Sequence, residues 1–361
     1  MNNQSIGIAI VGTGFGQKVH IPAFQNHPRT EIMAVYHRNL TQAKAIASTH
    51  NIPYAVDNIN DIIALPKVQG VAISTPPFLH YDQAKQVLLA GKHLFLEKPV
   101  TLNVKEAEEL HQIAQTTGAI TAIDFEFRFV PAWQLLAEYL ASNYVGKKRF
   151  IKIDWLVSGR ADSSRPWNWY SSKEQGGGML GAVGSHAFDY INWLFGKIKR
   201  LSGKLSTTIP FRPEPKSGEL KLVDADDTCS IMLELEDGTP CQICFSSVTY
   251  NGRGHWIEVY GDRGTLILGN DNQKDYIHGF KLFASAVGKP LKEVEIPAHL
   301  NFTENYADGR IAPVIRVIDE WVKGIDSGKI IVPGLSEGIY SQLCLDLTHL
   351  SNEQGQWTTI N

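Results

Sequence analysis

Two side chains stand out for the chemistry they can do. Lys98 follows the apolar run HLFL in Glu97-Lys98-Pro99, and His186 lies in GGGMLGAVGSHAFD, residues 176–189, with Asp189 three positions on. An ammonium group at the end of a strand can stabilise a developing alkoxide, and an imidazole can exchange a hydroxyl proton near neutral pH. At a helical i, i+3 spacing Asp189 can fix the imidazole tautomer. One turn before His186, on the same helical face, stands Ala182, so no carboxylate supports the histidine from that side. The plainer reading is a core helix: Leu180, Val183, Ala187, Ile191 and Leu194 make an apolar stripe. His186 lies off that stripe, on the face of Ala182 and Asp189.

A second cluster is glycine-rich. GTGFGQ presents Gly12, Thr13, Gly14, Phe15 and Gly16 between an apolar run and a helical stretch. Gly12 permits a tight turn, and Gly14 lets the backbone approach a pyrophosphate at a helix N-terminus. The third glycine comes one residue early, with Gln17 in its usual place. Within a strand–turn–helix unit this reads as a dinucleotide cradle rather than a packing turn. About twenty residues on, where an acid would accept the ribose hydroxyl of NAD(H), the chain has Tyr36-His37-Arg38-Asn39. Arg38 can instead pair with a 2′-phosphate, which tips the expectation toward NADP(H) over NAD(H). Its plainer reading is a solvated arginine.

A third candidate is SGRADSSRPWNWY, residues 158–170. Arg160 and Arg165 can hold an anionic group, and Trp167 and Trp169 can stack on a sugar face; an ordinary surface loop accounts for them equally well. Cys241 and Cys244 form a C-x-x-C, but in an alternating strand they face opposite sides, so neither a metal nor a local disulfide is expected.

The elements that must position these groups divide the 361 residues in two. Up to residue 124, apolar runs (5–12, 31–38, 70–75, 93–99, 119–124) alternate with periodic helical stretches, one capped by Asn103 and closed by Gly118. That alternation means βαβ units and a parallel sheet. From 125 to 361 the pattern is one helix, PAWQLLAEYLASN, then mostly strands separated by turns, an exposed loop at 208–219, and two final helices. The fold expected is α/β: a doubly wound parallel sheet over 1–124 that binds the nucleotide. A second domain over 125–361 carries a mainly antiparallel sheet.

A net charge of −3 gives no reason to expect nucleic acid or an anionic membrane. No apolar run reaches the roughly 20 residues of a membrane span. MNNQSIGIAIVG has no signal-type pattern, so a cytoplasmic protein is expected.

Several motifs in order, GTGFG, STPPFLH (Ser74, Thr75, Pro76 to His80), EKP, RFVPAW (Arg128 to Trp133), the GGG helix and IEVYGDRGTL (257–266), give the chain a resemblance. It resembles the glucose–fructose oxidoreductase / inositol 2-dehydrogenase (Gfo/Idh/MocA) family over nearly its whole length. The resemblance implies an N-terminal Rossmann domain binding NAD(P) through Gly12 to Gly16, His37, Arg38, Ser74, Thr75, Pro76, His80, Glu97 and Lys98. It implies Lys98 beside nicotinamide and substrate, His186 as acid or base, Glu97 and Asp189 in support, and homo-oligomers through the C-terminal sheet. Substrates would be sugars, cyclitols, related polyols or their keto forms, with Arg128, Arg160, Arg165 and Trp167 as candidate contacts. Where the family usually has an aspartate this chain has Ala182, which keeps open a rival: a nucleotide-binding sensor or scaffold without catalysis.

Overall fold

The computed structural model describes residues 4–360. They form two compact units, residues up to Glu126 with Tyr306–Gln342, and Phe127–Asn305 with Leu343 onward.

In the first unit six parallel strands, β1 (Ile6–Val11), β2 (Thr30–Tyr36), β3 (Tyr54–Val56), β4 (Gly70–Ile73), β5 (His93–Leu96) and β6 (Thr121–Ile123), stand in the order 3-2-1-4-5-6. Strand order reverses at β1, the switch point where nucleotide ligands bind in doubly wound sheets. Five of these strands match the apolar runs of the sequence. β3 does not, because three residues at a sheet edge with Tyr54 exposed carry no periodic signal. Helices α1 (Ile21–Asn26), α2 (Leu40–His50), α3 (Ile59–Ala64), α4 (His80–Leu89) and α5 (Val104–Thr117) make the crossovers. α5 starts as expected: the Asn103 side chain accepts the Glu106 N–H, and Gly118 ends it in a left-handed conformation. Backbone bonds from Ser74 N–H to Val11 O (2.8 Å), Glu97 N–H to Ile73 O and Asp124 N–H to Leu96 O (3.0 Å each) step across the carboxyl edge. They fix the loops after β1, β4, β5 and β6 side by side.

The second unit opens with α6 (Pro131–Ala141), β7 (Lys148–Leu156) and α7 (Ser185–Phe195). Its strands continue as β8 (Ile198–Ser206), β9 (Phe211–Pro213), β10 (Leu220–Leu222), β11 (Thr228–Leu235), β12 (Pro240–Ser246), β13 (Gly254–Gly261), β14 (Gly264–Asn270), β15 (Lys281–Ala286), β16 (Lys292–Val294) and β17 (Thr358–Thr359). Nine of them form one sheet, ordered 16-15-14-13-7-12-11-8-17, antiparallel except where β12 runs parallel to β7. β9 and β10 correct the exposed loop expected at 208–219. They pair as a hairpin because the Glu214 carboxylate accepts the N–H groups of Lys216 (2.8 Å) and Ser217 (2.7 Å) and tightens the turn. Cys241 is buried and Cys244 half-buried on the opposite face of β12, as period-2 alternation requires.

α8 (Ile311–Ser327), expected in the second domain, belongs to the first unit. Its fully buried Trp321 packs edge-on against Phe24 and Phe95, ring centroids 6.0 and 5.7 Å away, and donates to Ile120 O at 3.1 Å. Burying an indole with its N–H satisfied is reason enough for the chain to return. α9 (Leu335–Gln354) follows. Among the described residues no helix is long and apolar enough to cross a membrane.

Candidate active site

The turn after β1 separates two uses of glycine. Gly12 has φ +103°, and a Cβ there would lie 2.6 Å from the Ser74 carbonyl carbon, so the protein's own packing excludes a side chain. Gly14 is exposed, and a Cβ on it would meet nothing within 4 Å. Nothing in the fold demands glycine there, and the bare backbone lies open to the approach of a ligand. Ser74 Oγ lies 3.4 Å from both Val11 O and Gly12 O, which ties the β4 loop to this turn, and Thr75 Oγ1 donates to Gln83 Oε1 on α4 at 2.7 Å. Thr13 is half-buried in the turn, and the Phe15 ring stands edge-on to His20 at 5.3 Å. At the end of β2, Arg38 is exposed, while His37 accepts the Asn39 N–H at 3.0 Å and so helps set the start of α2.

His80, expected against the cofactor, is instead a staple. Its ring is buried between Thr75 O (2.7 Å from Nε2) and Pro99 O (2.9 Å from Nδ1). Burial lowers its pKa although both carbonyls favour a charged ring. It thereby fastens the loop Ser74-Thr75-Pro76 to the turn that carries Lys98.

Beneath that turn lies a network the sequence does not announce. His20 Nε2, fully buried, sits 3.1 Å from Glu97 Oε1 and 3.2 Å from Asp124 Oδ2. Burial works against its charge, but hydrogen bonds to Asp124 and Glu97 prevail and raise it to about 9. Glu97 is held low: burial opposes its charge, yet the His20 bond, the charges of His20 and Lys98 and a bond with Asp124 together outweigh it. Burial and the neighbouring Glu97 push Asp124 up to about 7, and burial with Asp124 raises Glu126 well above the carboxylate range. Among the described residues His20, Glu97 and Asp124 make the one group of His, Cys, Asp or Glu donors close enough to share a cation; here the imidazolium supplies the positive charge. Glu97 is thus anchored from below and accepts the Lys98 N–H at 3.3 Å, leaving the half-buried Lys98 on a fixed backbone at the carboxyl edge of β5.

In the second unit His186 is buried on α7, edge-on to Phe127 at 4.9 Å. The two oxygens of Asp189 take the fork of Arg128, Nε–Oδ2 2.9 Å and Nη2–Oδ1 2.6 Å, both side chains buried. Arg128, expected to contact substrate, is committed to that pair and lies 5.6 Å from the Trp193 ring. Ala182 lies in a wide helical turn, Leu180–Gly184, that precedes α7. The extra residue in such a turn breaks the regular spacing that would set Ala182 directly beneath His186.

Arg160 and Arg165 line one cavity of this unit. Trp167 does not: its indole N–H donates to Leu222 O at 3.0 Å and Lys221 Nζ lies 3.5 Å from its ring, which ties it to the β9–β10 hairpin.

A six-stranded doubly wound sheet with an open glycine at its switch point is the architecture of a dinucleotide-binding fold. Residues 6–125 match the model of an oxidoreductase family with an NAD-binding Rossmann fold, and residues 139–360 its C-terminal alpha/beta domain. An uncharacterized oxidoreductase of Synechocystis sp. is 49% identical over 357 residues, 99% of this chain and 96% of that protein. Levoglucosan dehydrogenase of Pseudarthrobacter phenanthrenivorans is 24% identical over 99% of this chain and 98% of its own. A solved levoglucosan dehydrogenase in complex with NADH and levoglucosan shares the fold at a TM-score of 0.89, 21% identity, covering 99% of this chain and all of that one. The chain belongs to the Gfo/Idh/MocA oxidoreductase family.

Proposed function

We propose that the protein is a dehydrogenase or reductase that moves a hydride between a nicotinamide dinucleotide and a carbinol or carbonyl carbon of a sugar-like or cyclic polyol substrate. The observation that carries this reading is Gly14, a glycine open to solvent at the switch point, with Lys98 held at the same carboxyl edge. The relatives named for sugar oxidation support it. When bound, the nicotinamide supplies or accepts the hydride. The Gly12–Gly16 backbone cradles the pyrophosphate, and exposed Arg38, with no acid near it on β2, favours a 2′-phosphate and hence NADP(H). Lys98 steadies the alkoxide with its charge, and His186 takes or returns the hydroxyl proton.

The open face of the nine-stranded sheet, where Phe150 stacks on Tyr260 at 6.4 Å, is the surface we assign to self-association. The four free cysteines fit a cytoplasmic setting. The rival, a binder without catalysis, draws on Ala182 alone. Calorimetric titration with NADP(H) and NAD(H) tests the reading: tight binding of at least one supports it, and no heat from either at millimolar concentration rejects both readings.

A further inference from the structure

One cavity of the second unit, about 310 Å³, has an unusual charge balance. Trp155, Arg160, Arg165, Tyr170, Asn272 and Tyr276 are among its walls, and no aspartate or glutamate is. A volume of this order suits a monosaccharide-sized ligand.

The polar groups around it are mostly spoken for. Gln273 donates to Gly252 O at 2.6 Å and accepts from Ser158. The Asn272 carbonyl accepts two backbone N–H groups, at 3.1 Å each, and Arg165 donates to Gly159 O. Arg160 differs. Its guanidinium carbon lies 3.4 Å from the Tyr170 ring centroid, and among the described residues the guanidinium has no hydrogen-bond or carboxylate partner. A half-buried guanidinium whose donors no protein group takes offers them to a ligand in the cavity.

The surroundings deepen the imbalance. Arg212, 3% exposed, donates to Asp162 O (2.7 Å) and Arg160 O (2.6 Å), so it shapes the loop and brings a third positive charge. The Asp162 carboxylate is turned to Ser164. Burial lowers Arg160 to about 10, and although Tyr170 opposes the shift, Arg165 and Arg212 add to it. On the other side, Trp155 stacks on His255 at 4.1 Å and 12°, a flat wall suited to the C–H face of a ring.

We propose that this cavity receives the anionic group of the substrate, a carboxylate or phosphate ester borne by a sugar-like ring, and that Arg160 pairs with it bidentately while Arg165 adds charge at the rim. The stack on Tyr170 holds the planar fork in place before the ligand arrives, so little freedom is lost on pairing. This assignment rests on the sugar dehydrogenase reading, whose substrate class it narrows.

The test is calorimetry with matched pairs: glucose against glucose 6-phosphate, glucose against glucuronate, and myo-inositol against inositol 1-phosphate. The two acidic chemistries are kept in separate arms. At least one charged member is expected to bind about ten- to hundredfold tighter than its neutral parent, the ratio of a charge-assisted hydrogen bond. In Arg160→Met the ratio collapses toward one; in Arg165→Met it shrinks in part. Neutral members binding as well as charged ones in every pair, or a preference that survives in Arg160→Met, overturns the assignment. Nicotinamide turnover on the same pairs separates the two readings. Turnover of neutral sugars with no charge preference keeps the dehydrogenase and removes the anion subsite; a charge preference in binding with no turnover on any member does the reverse.

Discussion

Arg128 and Asp189 meet through two parallel bonds, Nε to Oδ2 at 2.9 Å and Nη2 to Oδ1 at 2.6 Å, inside the second unit. An arginine just before α6 thereby grips the middle of α7, the helix that carries His186. The pair is buried, so removing one partner strands a charge. Asp189→Ala is expected to cost about 3–5 kcal/mol of unfolding free energy. The double variant Arg128→Met/Asp189→Leu recovers most of that loss. Urea unfolding of both checks this; a single variant as stable as the parent would show the pair to be idle.

His20 makes stability depend on pH in a definite direction. Its folded value, about 9, stands above the ordinary 6.5, so its contribution is complete below 6.5 and is lost as pH rises through 9. Asp124, raised from 3.8 to about 7, acts in the same sense at lower pH, because the fold favours its protonated form. The stability difference between the parent and His20→Gln should therefore shrink between pH 6.5 and 9. A constant difference across that window contradicts the charged imidazole.

Much of this protein is legible in the one-dimensional chain, and the limits have physical causes. Punctuation and period place β1, β2, β4, β5, β6 and α5, since local capping and alternation write them into adjacent residues. The network under Lys98 is not written that way: His20 is 77 residues from Glu97 and 104 from Asp124. Arg128, whose fork Asp189 accepts, is likewise 61 residues away in the chain. A hint existed in Asp124-Phe125-Glu126, an acidic pair at the end of β6 in the position that Glu97-Lys98 holds on β5. The change of unit at α8 is invisible because an amphipathic stripe does not say which core it faces.

Gly14 and Arg38 allow the proposed cofactor binding to be tested apart from folding. Gly14→Val adds a side chain where no protein atom lies within contact distance, so unfolding free energy should stay within about 0.5 kcal/mol. Dinucleotide binding should fall by at least tenfold in the same variant, as far as a lost backbone approach of about 1.4 kcal/mol or more implies. Arg38→Ala should weaken NADP(H) about tenfold or more while leaving NAD(H) nearly unchanged. Equal effects on both dinucleotides would return Arg38 to the solvent.

The most direct measurement of the central claim is reduction of NADP⁺ and NAD⁺ by the parent protein, Lys98→Met and His186→Ala across neutral and acidic sugars and cyclitols. The account predicts turnover by the parent on at least one substrate. In Lys98→Met that rate should drop about a hundredfold or more with cofactor affinity kept, as for loss of one charge at a developing oxyanion. His186→Ala should lose it to a comparable degree. A parent that binds the dinucleotide but reduces it with no substrate, or variants that turn over as fast as the parent, would contradict the account.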